Sequence, residues 1–114
     1  MLPLLALLAC LVPQSAFAES IAGKWNLTWS TEAGIRHTVW DISQDGEALS
    51  VETDGQKLEG TFKDGRLELS GKLYAARAGY SAEMKAEGTL VNEQLKGEAS
   101  WGGYGMSFVG ERDK

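Results

Sequence analysis

From Gly23 onward the chain alternates apolar and polar residues with a period of two, in segments that recur about every twelve residues. This alternation limits the fold more than any other feature, because successive side chains point to opposite faces in a strand but not in a helix. Tyr80, Ala82, Met84, Ala86, Gly88 and Leu90 fall on one face, and Ser81, Glu83, Lys85, Glu87 and Thr89 on the other. Leu67, Leu69, Gly71 and Leu73 separate in the same way from Glu68, Ser70 and Lys72, as do Leu95, Gly97, Ala99 and Trp101 from Lys96, Glu98 and Ser100. The dipeptides Asp45-Gly46, Asp54-Gly55 and Asp64-Gly65 each lie between two such runs and supply the positive φ of a tight hairpin turn. The pattern predicts strands near 22–30, 35–44, 47–53, 56–63, 66–75, 80–91, 94–101 and 104–112, each antiparallel to the next, with no helix.

Eight short strands joined in sequence by hairpins are best closed into a barrel, since closure removes the unpaired edges of an open sheet. The expected fold is therefore all-β, an eight-stranded antiparallel up-and-down β-barrel. Its outer face carries Glu68, Lys72, Glu83, Lys85, Glu87, Lys96 and Glu98. An outer-membrane barrel needs an apolar outer band, so that class is excluded.

Residues 1–18 are a different kind of polymer. They hold no charged side chain, both prolines (Pro3 and Pro13) and the only cysteine, Cys10. An apolar stretch from Leu2 to Val12, followed by Ala16-Phe17-Ala18, matches a secretory h-region and cleavage site and is too short to span a membrane. The expected organisation is a signal peptide over residues 1–18 and one exported domain, periplasmic or secreted, over residues 19–114. Leu7-Leu8-Ala9-Cys10 is an imperfect lipobox, which keeps open a lipoprotein anchored through Cys10.

Residues 19–114 carry all the charge, net −5, and no cysteine. A disulfide framework, a thiolate metal site and a cysteine nucleophile are thus excluded from that domain. The acidic balance argues against nucleic acid and anionic membranes as partners. His37 is the only histidine, so a catalytic triad or zinc site lacks material, and the Asp-Gly turns lack the ligand density of a calcium loop. No cofactor, no metal and no enzymatic activity are expected.

Five glycines, Gly60, Gly71, Gly88, Gly97 and Gly110, each follow an apolar residue by two positions and fall on the inward face. They either let strands coil and leave room for bulky partners, or mark an interior void. With Gly23-Lys24-Trp25-Asn26-Leu27, Gln44-Asp45-Gly46, Leu58-Glu59-Gly60-Thr61, Gly65-Arg66-Leu67, Gly88-Thr89-Leu90, Leu95-Lys96-Gly97 and Phe108-Val109-Gly110-Glu111-Arg112, the chain resembles small calycin-like barrels of bacterial secreted proteins. The Gly-x-Trp of strand one is also similar to the opening of lipocalins and avidins, where the Trp closes one barrel end. The resemblance implies a calycin-like fold and carries over no binding residue.

In such a barrel the loops alternate between ends, so parity and strand direction assign each inward residue to a rim. One end gathers Trp25, Ile42, Leu49, Phe62, Leu67, Leu90, Leu95 and Phe108 and is expected to be packed shut. The other gathers Trp29, Arg36, Thr38, Leu73, Tyr80, Trp101 and Tyr104, bordered by Arg77, Gly102 and Gly103. Barrel mouths of this aromatic, partly polar kind are common ligand sites. Trp29, Tyr80, Trp101 and Tyr104 are the expected ligand-binding residues, with Arg36 as a planar donor fork for a carboxylate or phosphate. The same aromatics would also suffice to fill a packed barrel. A one-residue slip in strand two would turn Ile35, His37 and Val39 inward in place of Arg36, Thr38, Trp40 and Ile42.

Two functions follow. One is an exported non-enzymatic module holding a small amphipathic or aromatic ligand at the open end. The other is a packed barrel acting through its surface as an inhibitor or accessory partner of an exported enzyme. Some bacterial metalloprotease inhibitors are barrels of similar size, although this chain lacks the disulfide they usually carry.

Overall fold

The structure, a computed structural model, describes residues 20–76 and 78–113. The expected leader, its cleavage site after Ala18, the alternative anchor at Cys10, and Arg77 lie outside the described residues. Eight strands follow one another: β1 (Gly23–Thr31), β2 (Gly34–Asp45), β3 (Ala48–Thr53), β4 (Gln56–Lys63), β5 (Arg66–Ala75), β6 (Tyr80–Val91), β7 (Gln94–Trp101) and β8 (Tyr104–Arg112). Each pairs antiparallel with its neighbour, and β8 returns to β1 from Trp25 opposite Arg112 to Ser30 opposite Ser107. The result is a closed up-and-down barrel whose topology fits the calycin-like fold.

Turn chemistry explains the pairing. Asp54-Gly55 and Asp64-Gly65 have positive φ at both central residues, 51° and 76°, then 54° and 79°, the type I′ geometry that matches strand twist. Gly102-Gly103 does the same at 56° and 90°. Asp45-Gly46 behaves differently. Asp45 is the last residue of β2, opposite Ala48, and the turn is Gly46-Glu47 with positive φ at Gly46 alone, a type II′ arrangement. Asn92-Glu93 is a further type I′ turn, at 52° and 66°, without glycine.

The inward set of β2 is Arg36, Thr38, Trp40 and Ile42, whereas Ile35 and Val39 are 61% and 46% exposed, so no slip occurs. At one end Trp25 is fully buried and donates its indole N–H to the Ile21 carbonyl at 2.8 Å. Ile21 in turn donates its amide to Gln44 Oε1 at 2.8 Å, and the Arg112 guanidinium covers the Trp25 ring at 4.6 Å. Leu58, Leu67 and Leu95 fill the interior beside them with no exposed surface. All five inward glycines serve this packing. A Cβ on Gly60 or Gly97 would collide with the carbonyl of Glu68 or Glu87, and on Gly71, Gly88 or Gly110 it would come within 2.9, 2.7 and 2.5 Å of Leu58, Lys96 and Leu27.

Phe108 is placed differently from the sequence expectation. It lies opposite Trp29 in the β1–β8 register and packs at mid-height between Trp29 and Trp40, with ring centroids 5.1 and 5.4 Å away. Above that layer the strands are unequal. The β1–β2 and β5–β6 hairpins rise past the shorter β3–β4 hairpin, since β2 meets β3 only from Asp41 opposite Glu52 downward. Among the described residues no helix is long and apolar enough to cross a membrane.

Candidate functional site

Trp29 and Trp40, backed by Phe108, line the base of a cavity of about 600 Å³ that occupies the upper barrel. Leu73, Met84, Trp101 and Met106 form its apolar walls, and Arg36, Thr38, Thr53, Gln56 and Tyr104 add polar groups. A sealed, dry void of that size would cost roughly 14 kcal/mol at the slope measured for buried cavities, which is as much as a small domain's whole stability. The space is instead open at the mouth, between the tips of the long hairpins, where Glu32, Ala33, Ala76 and Ala78 border it.

The polar atoms of the wall are mostly spoken for. Trp29 donates its indole N–H to Thr38 Oγ1 at 2.8 Å, and Trp101 donates its own to the Leu73 carbonyl at 3.0 Å. Both indoles therefore offer apolar surface, not donors. Gln56 is engaged twice, accepting from the Tyr74 amide at 2.6 Å and donating to the Tyr74 carbonyl at 3.1 Å. Arg36 is the charged group left without a partner on the wall. It is half-buried, it is the one cation among the described lining residues, and it makes no hydrogen bond or ion pair among them. Glu32 and Asp54 share the mouth with it, so the rim is not a broad cationic field.

Of the residues expected from the sequence, Trp29, Arg36, Trp101 and Tyr104 line the cavity. Tyr104 is 55% exposed at the rim. Tyr80 does not line it: its ring rests on Trp101 at 5.1 Å and is 47% exposed, which buttresses that wall. Trp40, Met84 and Met106 were legible by the same inward parity but were given no rim. Thr53 and Gln56 share the inward parity of Leu49 and Leu58, but their place at the cavity depends on how high the β3–β4 hairpin reaches. His37 lies on the outer face, with Nδ1 3.5 Å from Thr28 Oγ1, away from the cavity. Among the described residues no cluster of His, Cys, Asp or Glu could hold a metal ion.

Magnitudes rank what the site can do. Covering one aromatic ring of about 200 Å² is worth roughly 5 kcal/mol, against about 1.5 to 3 kcal/mol for a hydrogen bond to the guanidinium. Apolar contact would dominate affinity, and Arg36 would set orientation. In comparison with known proteins, the chain matches no family model and no curated sequence.

Proposed function

We propose that the protein is an exported, non-enzymatic binding module that holds a small amphipathic or aromatic ligand in the upper barrel. The observation that carries this reading is the open cavity, walled by Trp29, Trp40, Trp101, Met84 and Met106, with the unpaired Arg36 guanidinium at its rim. The apolar body of the ligand would lie against the indole faces, and an anionic or polar head would meet Arg36. The cavity favours this reading over a barrel packed throughout. The test is a titration of the mature chain with 1-anilinonaphthalene-8-sulfonate, an apolar aromatic probe with one anionic group. A saturable rise in probe emission with quenching of tryptophan is expected, with Arg36→Gln weakening binding by about tenfold, the size of one charge-assisted hydrogen bond. An unsaturable response in the folded chain would sink the proposal.

A further inference from the structure

β2 is paired with β1 from Gly34 to Ile42, yet on its other side Gly34–Val39 has no strand partner among the described residues. This is the longest unpaired strand edge in the barrel. It carries neither proline nor lysine, the residues that commonly blunt an edge. Ile35 and Val39 stand exposed on its outer face, while Arg36 and Thr38 point into the cavity.

The facing border of the opening is treated differently. There the side-chain amide of Gln56 bonds both the amide and the carbonyl of Tyr74, so the β5 edge has its backbone groups satisfied at Tyr74. Below, β3 and β4 occupy the tracks between β2 and β5. Above their turn at Asp54-Gly55 the two borders are three strand spacings apart, about 14 Å, which accommodates one added strand.

We infer that the free edge of β2 accepts an extended polypeptide segment as an added strand, in line with β3, whose alternate side chains enter the cavity. Main-chain hydrogen bonds would supply affinity, and the pocket beside them would select side chains, as in other cases of strand addition. Inward positions of the incoming strand are two residues apart and lie opposite Arg36 and Thr38. The segment that fits has an acidic residue beside Arg36 and, two positions away, a large apolar or aromatic residue over the cavity. The residues flanking this pair are β-branched or apolar, against Ile35 and Val39, and the one between them faces His37. The inference rests on the cavity being a binding site and names a polypeptide as its occupant.

A linear random heptapeptide library panned on the mature chain tests it, followed by calorimetry on one enriched peptide and on its singly N-methylated versions. The expected result is enrichment of an acidic and a large apolar residue two apart, and about tenfold weaker binding on methylation at alternate positions only. Amide exchange over residues 34–39 should slow in the complex. The naphthalene sulfonate probe separates the two readings. If it binds while no peptide is enriched, or while peptide binding survives every N-methylation, the strand inference falls and the small-ligand reading stands. If the peptide binds with alternating sensitivity and the probe does not, the strand inference stands alone. A chain that is dimeric by native mass spectrometry, with residues 34–39 protected without peptide, would make the occupant a second copy and overturn the inference.

Discussion

Gly60 and Gly105 show how differently one residue type is used. Both are strand glycines without positive φ, but a Cβ at Gly60 would strike the Glu68 carbonyl whereas one at Gly105 would meet nothing within 4 Å. Gly60→Ala is expected to destabilise by about 3 kcal/mol, the upper range for forcing atoms into a filled interior. Gly105→Ala should be neutral or stabilise by up to about 1 kcal/mol, because it restricts the unfolded chain. Urea midpoints of the two variants measure the contrast. At this scale the sequence was legible in parity and silent in height. Parity placed Trp29, Arg36, Trp101 and Tyr104 on the inward face, where they line the cavity. It also placed Tyr80 there, yet the chain at that point has risen past the end of β7, and the ring rests against Trp101.

Among the elements, the hairpins were readable because their turns are written in glycine, and the strand bounds expected from period two lie close to those observed. The Asn92-Glu93 turn lacks that signature. Glu93 is held at φ 66°, where a side chain costs about 1 kcal/mol or more, and its carboxylate lies 3.5 Å from Arg112 Nε. The Glu93 side chain is 76% exposed, so this ion pair is screened by solvent and contributes less than the backbone strain removes. Glu93→Gly should therefore raise stability by about 0.5 to 1 kcal/mol, seen as a higher midpoint in thermal melting. The Asp45-Gly46 dipeptide shows the limit of motif reading. Pairing of Asp45 with Ala48 moves the turn one residue along, a register choice imposed by the buried Ile42, Leu49 and Val51 and not by the dipeptide itself.

For the molecule as a whole, the interior is divided between a lower half stabilised by packing and an upper half that is open. Substitutions should respond accordingly. Leu73 is only partly buried and faces the cavity, so Leu73→Trp would enter existing space without displacing neighbours. Stability within about 1 kcal/mol of the parent is expected, with loss of naphthalene sulfonate binding; a strongly destabilised variant would show that the upper barrel is filled by its own side chains. This division was only half legible. Closure followed from strand number and alternation, but the void goes with unequal hairpin heights and the register that sets Phe108 opposite Trp29, which depend on stagger between strands distant in sequence.

At the closed end the two extremities of the described chain are laced together. Arg112 Nη2 donates to the Ser20 carbonyl at 2.8 Å, and the Asp113 amide donates to the Lys24 carbonyl at 2.9 Å. Since every strand neighbours the next and the last neighbours the first, the connectivity is that of a ring, and its opening between β8 and β1 is one of several equivalent places to cut. A short splice across Ser20 and Asp113 would permit circular permutation at the Asp54-Gly55 turn. The cut ends would then stand beside the mouth, where a tethered sequence could be delivered to the cavity at high effective concentration.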